Sequence, residues 1–144
     1  MDNLIQLSTL LKMKNDIDLR IARLINRPAQ IGYVGEFIAS HIFDIRLEES
    51  AVHKSIDGYF QSGPLIDRSV NIKWYAKQEG MLDITPESLP DYYLVLTGPV
   101  SPAKSSRGTT RPWLIDHVYL FQASDLVNKI RQRGAKIGVA TSVP

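Results

Sequence analysis

The chain has 144 residues, of which 44% are hydrophobic and 22% are charged, and its formal net charge is +2. This length and balance suit one globular domain with its own core and exclude a disordered or low-complexity protein. The absence of cysteine excludes disulfides and thiolate metal sites, and the lack of both a signal pattern and a ~20-residue apolar run favours a cytoplasmic protein without a membrane partner.

Residues 3–26 carry apolar side chains at helical spacing and predict an N-terminal helical arm, residues 1–27, within a single domain of residues 1–144. Asn15 and Asp16 predict a break into two helices, with Asp16 as a second N-cap. The sequence leaves open whether this arm packs on its own domain or on a second copy of the chain.

A second helix is predicted over residues 29–45, with its larger apolar side chains facing the core. Its other face carries mostly small residues and also Glu36, the one formally charged residue between Pro28 and Asp44. Glu36 is therefore a candidate metal ligand or proton-transfer group, and an exposed glutamate is the equal alternative. The predicted core face comprises Ile31, Val34, Phe37, Ile38, His41, Ile42 and Ile45, and the small face comprises Gly32, Gly35, Glu36, Ala39 and Phe43.

Two alternating segments, residues 55–61 and 69–75, predict a β-hairpin. Because side chains alternate along a strand, burial of the apolar faces would bring Asp57, Asn71 and Lys73 out together on the other side. The pattern alone favours a turn aspartate and a solvated strand face, since such residues are common there.

The remaining segments predict a buried strand, an exposed basic loop and a strand-helix-strand (βαβ) unit. In order, they are the strand 92–96, the loop 100–112, the strand 117–121, a helix from the N-cap Ser124 to Arg133 that Gly134 stops, and the strand 136–141.

Hydrolysis of a phosphodiester needs a hard cation that neutralises phosphate oxygens and activates the attacking water. A magnesium site typically combines one or two carboxylates with waters and phosphate oxygens. Asp57 suits the role of main metal ligand. Lys73 suits the role of a cation that orients the water and opposes the charge developing in the transition state.

Motif order adds a further clue, because a helix with Gly35-Glu36 precedes strands with Ile56-Asp57-Gly58 and Val70-Asn71-Ile72-Lys73. This order resembles the restriction-endonuclease-like PD-(D/E)xK superfamily. Over residues 28–143 the chain is also similar to an uncharacterised family of small bacterial proteins within that superfamily. The closer likeness rests on the segments GEFIA at 35–39, KSIDG at 54–58, VNIK at 70–73 and PDYYLVL at 90–96.

The resemblance implies an α/β fold with a restriction-endonuclease-like core: a central mixed β-sheet flanked by helices, here with the N-terminal helical arm. It also implies cleavage of DNA, or of RNA, with Mg²⁺ or Mn²⁺ at a site of Glu36, Asp57, Asn71 and Lys73. Asn71 departs from the superfamily, which has an acidic residue there. An amide offers a carbonyl oxygen without a negative charge, so the site attracts a divalent ion less strongly.

Three outcomes of this departure stay open: Glu36 compensates, the metal binds more weakly, or the domain binds nucleic acid without cutting it. Asp83 and Asp91 are carboxylates of lower rank. We expect the loop cations Lys104, Arg107 and Arg111 to contact nucleic-acid phosphates. Trp74 could stack on a base, although a tryptophan at such a position is more often partly buried in the core and partly exposed. A different class of function is the remaining alternative: an interaction protein that dimerises through the N-terminal arm.

Overall fold

A computed structural model of the chain describes residues 1–49, 55–75, 81–99, 113–134 and 141–142. Within these residues, helices at both ends of the chain surround strands that lie mainly in the middle. The helices are α1 Asp2–Ile25, α2 Ile31–Ile42 and α3 Ala123–Gln132, and the strands are β1 Ile45–Leu47, β2 Gly58–Phe60, β3 Ser69–Tyr75, β4 Met81–Leu82, β5 Tyr92–Thr97, β6 His117–Gln122 and β7 Thr141–Ser142.

The main sheet has the strand order β1-β2-β3-β5-β6. β3 and β5 run parallel, and the other neighbouring strands run antiparallel, so the sheet is mixed. One face packs against Ala39 of α2, and the other packs against Leu126 and Ile130 of α3. The predicted α/β class with a mixed sheet between helices is confirmed. Among the described residues, no helix combines the length and the hydropathy that a membrane span requires.

The N-terminal arm is one continuous helix, so the predicted break at Asn15 and Asp16 is wrong. The Lys14 ammonium lies 2.9 Å from the Asp18 carboxylate and spans this point with an i,i+4 pair that stabilises the helix. The helix ends at Ile25 because Asn26 takes the left-handed conformation, with φ of 56°, and its N–H bonds to the Ala22 carbonyl.

Helix α2 is shorter than predicted and buries the other face. Its buried residues are Gly35, Glu36 and Ala39, whereas Ile42 is 66% exposed. The prediction ranked faces by apolar size, but small residues allow a helix to approach a sheet closely, and that contact decides the orientation here. Ile45 lies in β1, a strand that was not predicted.

The predicted hairpin exists with a shorter first strand, because pairing is limited to Gly58 with Val70 and Tyr59 with Ser69. β5 is covered on both faces, as its apolar run predicts. β3 and β5 therefore form the centre of the core, and the side chains on these two strands have fixed positions.

The predicted βαβ unit is wrong in its pairing. β6 and α3 follow the prediction, with α3 beginning one residue before Ser124 and the chain turning at Gly134, whose φ is +73°. β7, however, pairs antiparallel with β4 in a separate two-stranded sheet. Hydrophobic pattern gives the order of elements but not the partner of each strand; residues 136–140 of the predicted strand lie outside the described residues.

Candidate functional site

Asp57 lies where β2 separates from β3. Its backbone N–H donates to the Val70 carbonyl at 2.9 Å, and its carboxylate accepts a hydrogen bond from the Ile72 N–H at 2.6 Å. The side chain thus takes the place of a strand neighbour for one residue of β3. This bond fixes the carboxylate at the edge of the sheet rather than on either face.

Gly58 follows Asp57 because β1 passes too close for a side chain. A Cβ at this position would collide with the Arg46 carbonyl oxygen and would lie 2.8 Å from Cγ2 of Ile45. The absence of a side chain lets β1 and β2 pair tightly and carries Asp57 to its place beside β3.

Helix α2 brings Glu36 to this carboxylate. A Cβ on Gly35 would lie 2.9 Å from Cβ of Trp74, so a glycine is needed for the helix to approach β3 this closely. Glu36 is 9% exposed, and its carboxyl group lies close enough to Asp57 for that carboxylate to raise its pKa. The exposed-glutamate alternative is therefore wrong.

The pKa of Glu36 is raised from 4.5 to about 7, first by burial and then by the negative charge of Asp57 and a side-chain hydrogen bond with it. The positive charges of Arg27 and Lys73 oppose this shift. Two carboxyl groups that share a buried site favour either a retained proton or a bound cation, because both cannot be ionised without cost.

Arg27 is part of the site although the sequence did not single it out. Its Nη1 lies 3.4 Å from Oε1 of Glu36, and its Nη2 donates to the Glu48 carbonyl at 2.6 Å. Its guanidinium also lies 5.8 Å from the centroid of the Tyr33 ring. The sequence signal for Arg27 was its place beside Pro28, between the two predicted helices.

Lys73 is half-buried, and its positive charge acts on the Glu36 carboxyl group. Side chains at paired positions of neighbouring strands share a face, so the pairing of Lys73 with Val95 places it on the α3 side of the sheet. Glu36 approaches from the α2 side. Lys73 therefore acts on Glu36 through its charge, from the other side of the sheet.

Asn71 is 5% exposed, so the solvated-face alternative is wrong for this residue. Its Nδ2 donates to the Ser55 carbonyl at 3.1 Å, which fixes the orientation of the amide. Its Oδ1 is buried and has no hydrogen-bond partner within the part of the chain that the structure describes. A buried acceptor without a partner costs free energy unless a cation or a water reaches it.

Asp91, a lower-ranked candidate, belongs to a different part of the sheet. Its carboxylate accepts hydrogen bonds from the N–H and hydroxyl groups of Ser69, at 2.9 and 3.1 Å. These bonds tie the beginning of β5 to the beginning of β3, four residues before Lys73. Asp83 is exposed beside β4.

The predicted nucleic-acid contacts divide into two groups. Trp74 is only 7% exposed, because its ring packs under Gly35 and edge-to-face against Trp113 at 5.6 Å, so its predicted stacking on a base is wrong. Trp113, which was not selected, is 52% exposed. The predicted loop cations Lys104, Arg107 and Arg111 lie outside the described residues.

The oxygen atoms of the candidate site could hold a hard cation only together with further ligands that do not come from the described residues. Across the described ranges, no cluster of three or more His, Asp or Glu residues could hold a metal ion. Glu36 and Asp57 provide carboxyl oxygen atoms, and Asn71 has a buried Oδ1 without a partner among the described residues. Oxygen atoms are the ligands that Mg²⁺ prefers. The remaining ligands would be waters and substrate phosphates, as is usual for this ion.

Comparison with known proteins does not assign the chain to a family. A scan against protein-family models and a search of curated proteins both found no match for the chain.

Proposed function

We propose that this chain is a divalent-metal-dependent nuclease with a restriction-endonuclease-like core, acting on the phosphodiester bonds of DNA or, alternatively, of RNA. One observation carries the proposal: the buried carboxyl group of Glu36 in α2 and the half-buried carboxylate of Asp57 at the edge of β3 come from separate elements and act on each other. Such a pair is costly to assemble for structural reasons alone, and a divalent cation removes that cost.

Each residue has a role that follows from its chemistry. Glu36 and Asp57 would hold Mg²⁺ or Mn²⁺, with Oδ1 of Asn71 as a neutral third ligand. The metal would supply a Lewis acid for the phosphate and a water of lowered pKa. Lys73 lies within electrostatic reach of the Glu36 carboxyl group and would oppose the negative charge of the transition state.

Arg27 sets the strength of metal binding in this proposal. Its guanidinium already supplies positive charge to Glu36 at 3.4 Å and therefore competes with a cation for that carboxylate. Asn71 also contributes one negative charge fewer than an aspartate would. Both features favour weak binding in the free protein and stronger binding when substrate phosphates complete the coordination.

The test measures cleavage of plasmid, single-stranded DNA and RNA with Mg²⁺ or Mn²⁺. We expect Asp57→Asn and Lys73→Met each to reduce cleavage at least about 100-fold, as loss of a charge-stabilising group usually does. Asp67→Asn is the matched control, since Asp67 is an exposed carboxylate in the loop before β3. Activity that survives both site substitutions would refute the proposed site.

The Arg27–Glu36 ion pair favours a second candidate, a nucleic-acid-binding module that does not cut. In that case Arg27 takes the place of the metal permanently. This candidate predicts salt-sensitive binding, no cleavage of any substrate, and no heat of Mn²⁺ binding in calorimetry. Measurable Mn²⁺ binding that is lost in Asp57→Asn would exclude it.

A further inference from the structure

Trp113 has a strained backbone although its ring is largely outside the core. Its φ is 54°, in the left-handed region that bulky residues rarely adopt. The ring is 52% exposed, so burial of its apolar surface compensates only part of the cost of this conformation. Backbone strain of this kind concentrates where a side chain contacts a ligand. The exposed ring is therefore a candidate binding surface.

An aromatic contact places this ring beside the candidate metal site. Trp113 and Trp74 meet edge-to-face, with ring centroids 5.6 Å apart and planes at 74°. A contact with this geometry takes up at most one face of the Trp113 ring. Trp74 in turn lies under Gly35, the residue before Glu36. Trp113 thus lies on the α2 side of the sheet, the side from which Glu36 approaches.

Apolar side chains continue this face of the sheet at β6. By strand register, Val118 lies in line with Trp74 across β5. Leu120 lies in line with Ile72 in the next row. Helix α2 packs over β1 and β3, and Val118 and Leu120 are 44% and 48% exposed. The surface beside the metal site is therefore apolar as well as aromatic.

A substrate that covers this surface needs apolar faces and, if the proposed function holds, a phosphate at Glu36 and Asp57. Nucleobases joined by a phosphate backbone meet both requirements. In a duplex, each base is stacked between its neighbours and paired, so its face is not available to a side chain. An unpaired base is free to stack on an aromatic ring.

We propose that Trp113 stacks on an unpaired base of the substrate, which makes single-stranded nucleic acid the substrate class. This inference rests on the proposed function, because it concerns the substrate of that same site. The bases lie against Trp113 and the exposed face of β6, and the backbone passes Glu36 and Asp57. Trp113 thereby takes the stacking role that the sequence assigned to the buried Trp74.

Intrinsic fluorescence tests this directly, because the chain has two tryptophans and only Trp113 is exposed. The full chain is titrated, with a chelator present, with one mixed-sequence oligonucleotide as single-stranded DNA, single-stranded RNA and duplex DNA. We expect at least one single strand to quench the long-wavelength emission and to bind about tenfold or more tightly than the duplex.

Variants separate stacking from packing. Trp113→Leu removes the ring and should weaken binding of a labelled single strand about tenfold or more, whereas Trp113→Tyr keeps a ring and should bind within about threefold of the wild type. Rescue by tyrosine shows that the ring is what binding requires. Leu114→Ala is the matched control, because it removes an exposed apolar side chain from the same segment without removing a ring.

Equal or tighter binding of the duplex would overturn the proposal, and so would unchanged binding in Trp113→Leu. A blue shift of the emission that grows with protein concentration alone would show a second copy on the ring and would also overturn it. Cleavage that requires Asp57 but not Trp113 would refute this inference and leave the nuclease. Binding that requires Trp113 without any cleavage would refute the nuclease and leave the stacking role.

Discussion

The carboxylate of Asp57 accepts a hydrogen bond from the backbone N–H of Ile72 at 2.6 Å. The same carboxylate meets Glu36, so one side chain both completes the edge of β3 and belongs to the candidate metal site. Substitutions at Asp57 must separate these two effects.

Asp57→Ala leaves the Ile72 N–H without its acceptor and should lower the free energy of unfolding by about 1–3 kcal/mol. Asp57→Asn keeps a carbonyl oxygen for this bond and removes the charge next to Glu36, so it should change stability by less than about 1 kcal/mol. Urea unfolding and Mn²⁺ calorimetry on both variants check this. Equal destabilisation would show that the charge, rather than the acceptor, is what β3 requires.

The raised pKa of Glu36 predicts how the stability of the metal-free protein depends on pH. The folded value is about 7 and the ordinary value is 4.5, so the folded state holds a proton that the unfolded state has lost between these limits. The contribution of Glu36 to stability is therefore fully present below pH 4.5 and is lost as the pH rises through 7, by on the order of 1–3 kcal/mol.

Glu36→Gln should abolish this part of the pH dependence, because the amide does not titrate. The measurement is urea unfolding of both proteins between pH 4.5 and 8.5 in the presence of a chelator, and the difference between the two curves isolates Glu36 from other carboxylates. Parallel curves over that range would contradict a raised pKa.

Removal of the Arg27 guanidinium should raise the pKa of Glu36 further, because this charge is one of two that oppose the shift. Arg27→Met keeps the length of the side chain, and we expect the fall in stability to move up by about one pH unit. Arg23→Met is the control, since Arg23 is an exposed arginine of α1. An unchanged midpoint would show that Arg27 does not act on Glu36 in solution.

Gly35 and Gly32 offer a matched pair on one helix. A Cβ on Gly35 would lie 2.9 Å from Cβ of Trp74, whereas a Cβ on Gly32 would meet nothing within 4 Å. Gly35→Ala should therefore lower the free energy of unfolding by about 1–3 kcal/mol, because the added methyl group overpacks the contact with Trp74. Gly32→Ala should raise it by about 0.5–1 kcal/mol, because alanine has the higher helix propensity. Thermal unfolding of both decides whether the close approach of α2 to β3 is as described.

Asn71→Asp tests the neutral ligand directly. In the metal-free protein the new carboxylate would lose the hydrogen bond to the Ser55 carbonyl and face that oxygen, with an expected cost of about 1–3 kcal/mol. With Mn²⁺ present the added charge should strengthen metal binding. Calorimetry and unfolding with and without Mn²⁺ measure both effects, and a variant that is destabilised without gaining affinity would place Asn71 outside the metal site.

Strand alternation accounts for only part of the candidate site. Asp57 precedes β2 and its carboxylate lies at the edge of the sheet, where alternation does not place it. Asn71 and Lys73 share a face of β3 because side chains two residues apart in a strand point the same way. The burial of β5 was predicted for the same reason: a continuous apolar run is stable only when both faces are covered.

Other features depend on contacts between distant segments, which a local pattern does not contain. The buried face of α2 is set by the fit of Gly35 against Trp74, so the ranking by apolar size was wrong. The burial of Trp74 follows from that same contact. Arg27 resembled its solvated neighbours in α1 until the fold placed it against Glu36 and Glu48.

The short pairing of β2 with β3 has one more consequence, for solubility. No described strand pairs with the β2 side of β3 after Val70, and open strand edges recruit strands from other molecules. A carboxylate that occupies the Ile72 N–H blocks such growth, because an incoming strand would have to displace it and bury its charge. Replacement of Asp57 by an apolar residue would thus expose a nucleus for aggregation, whatever happens to catalysis.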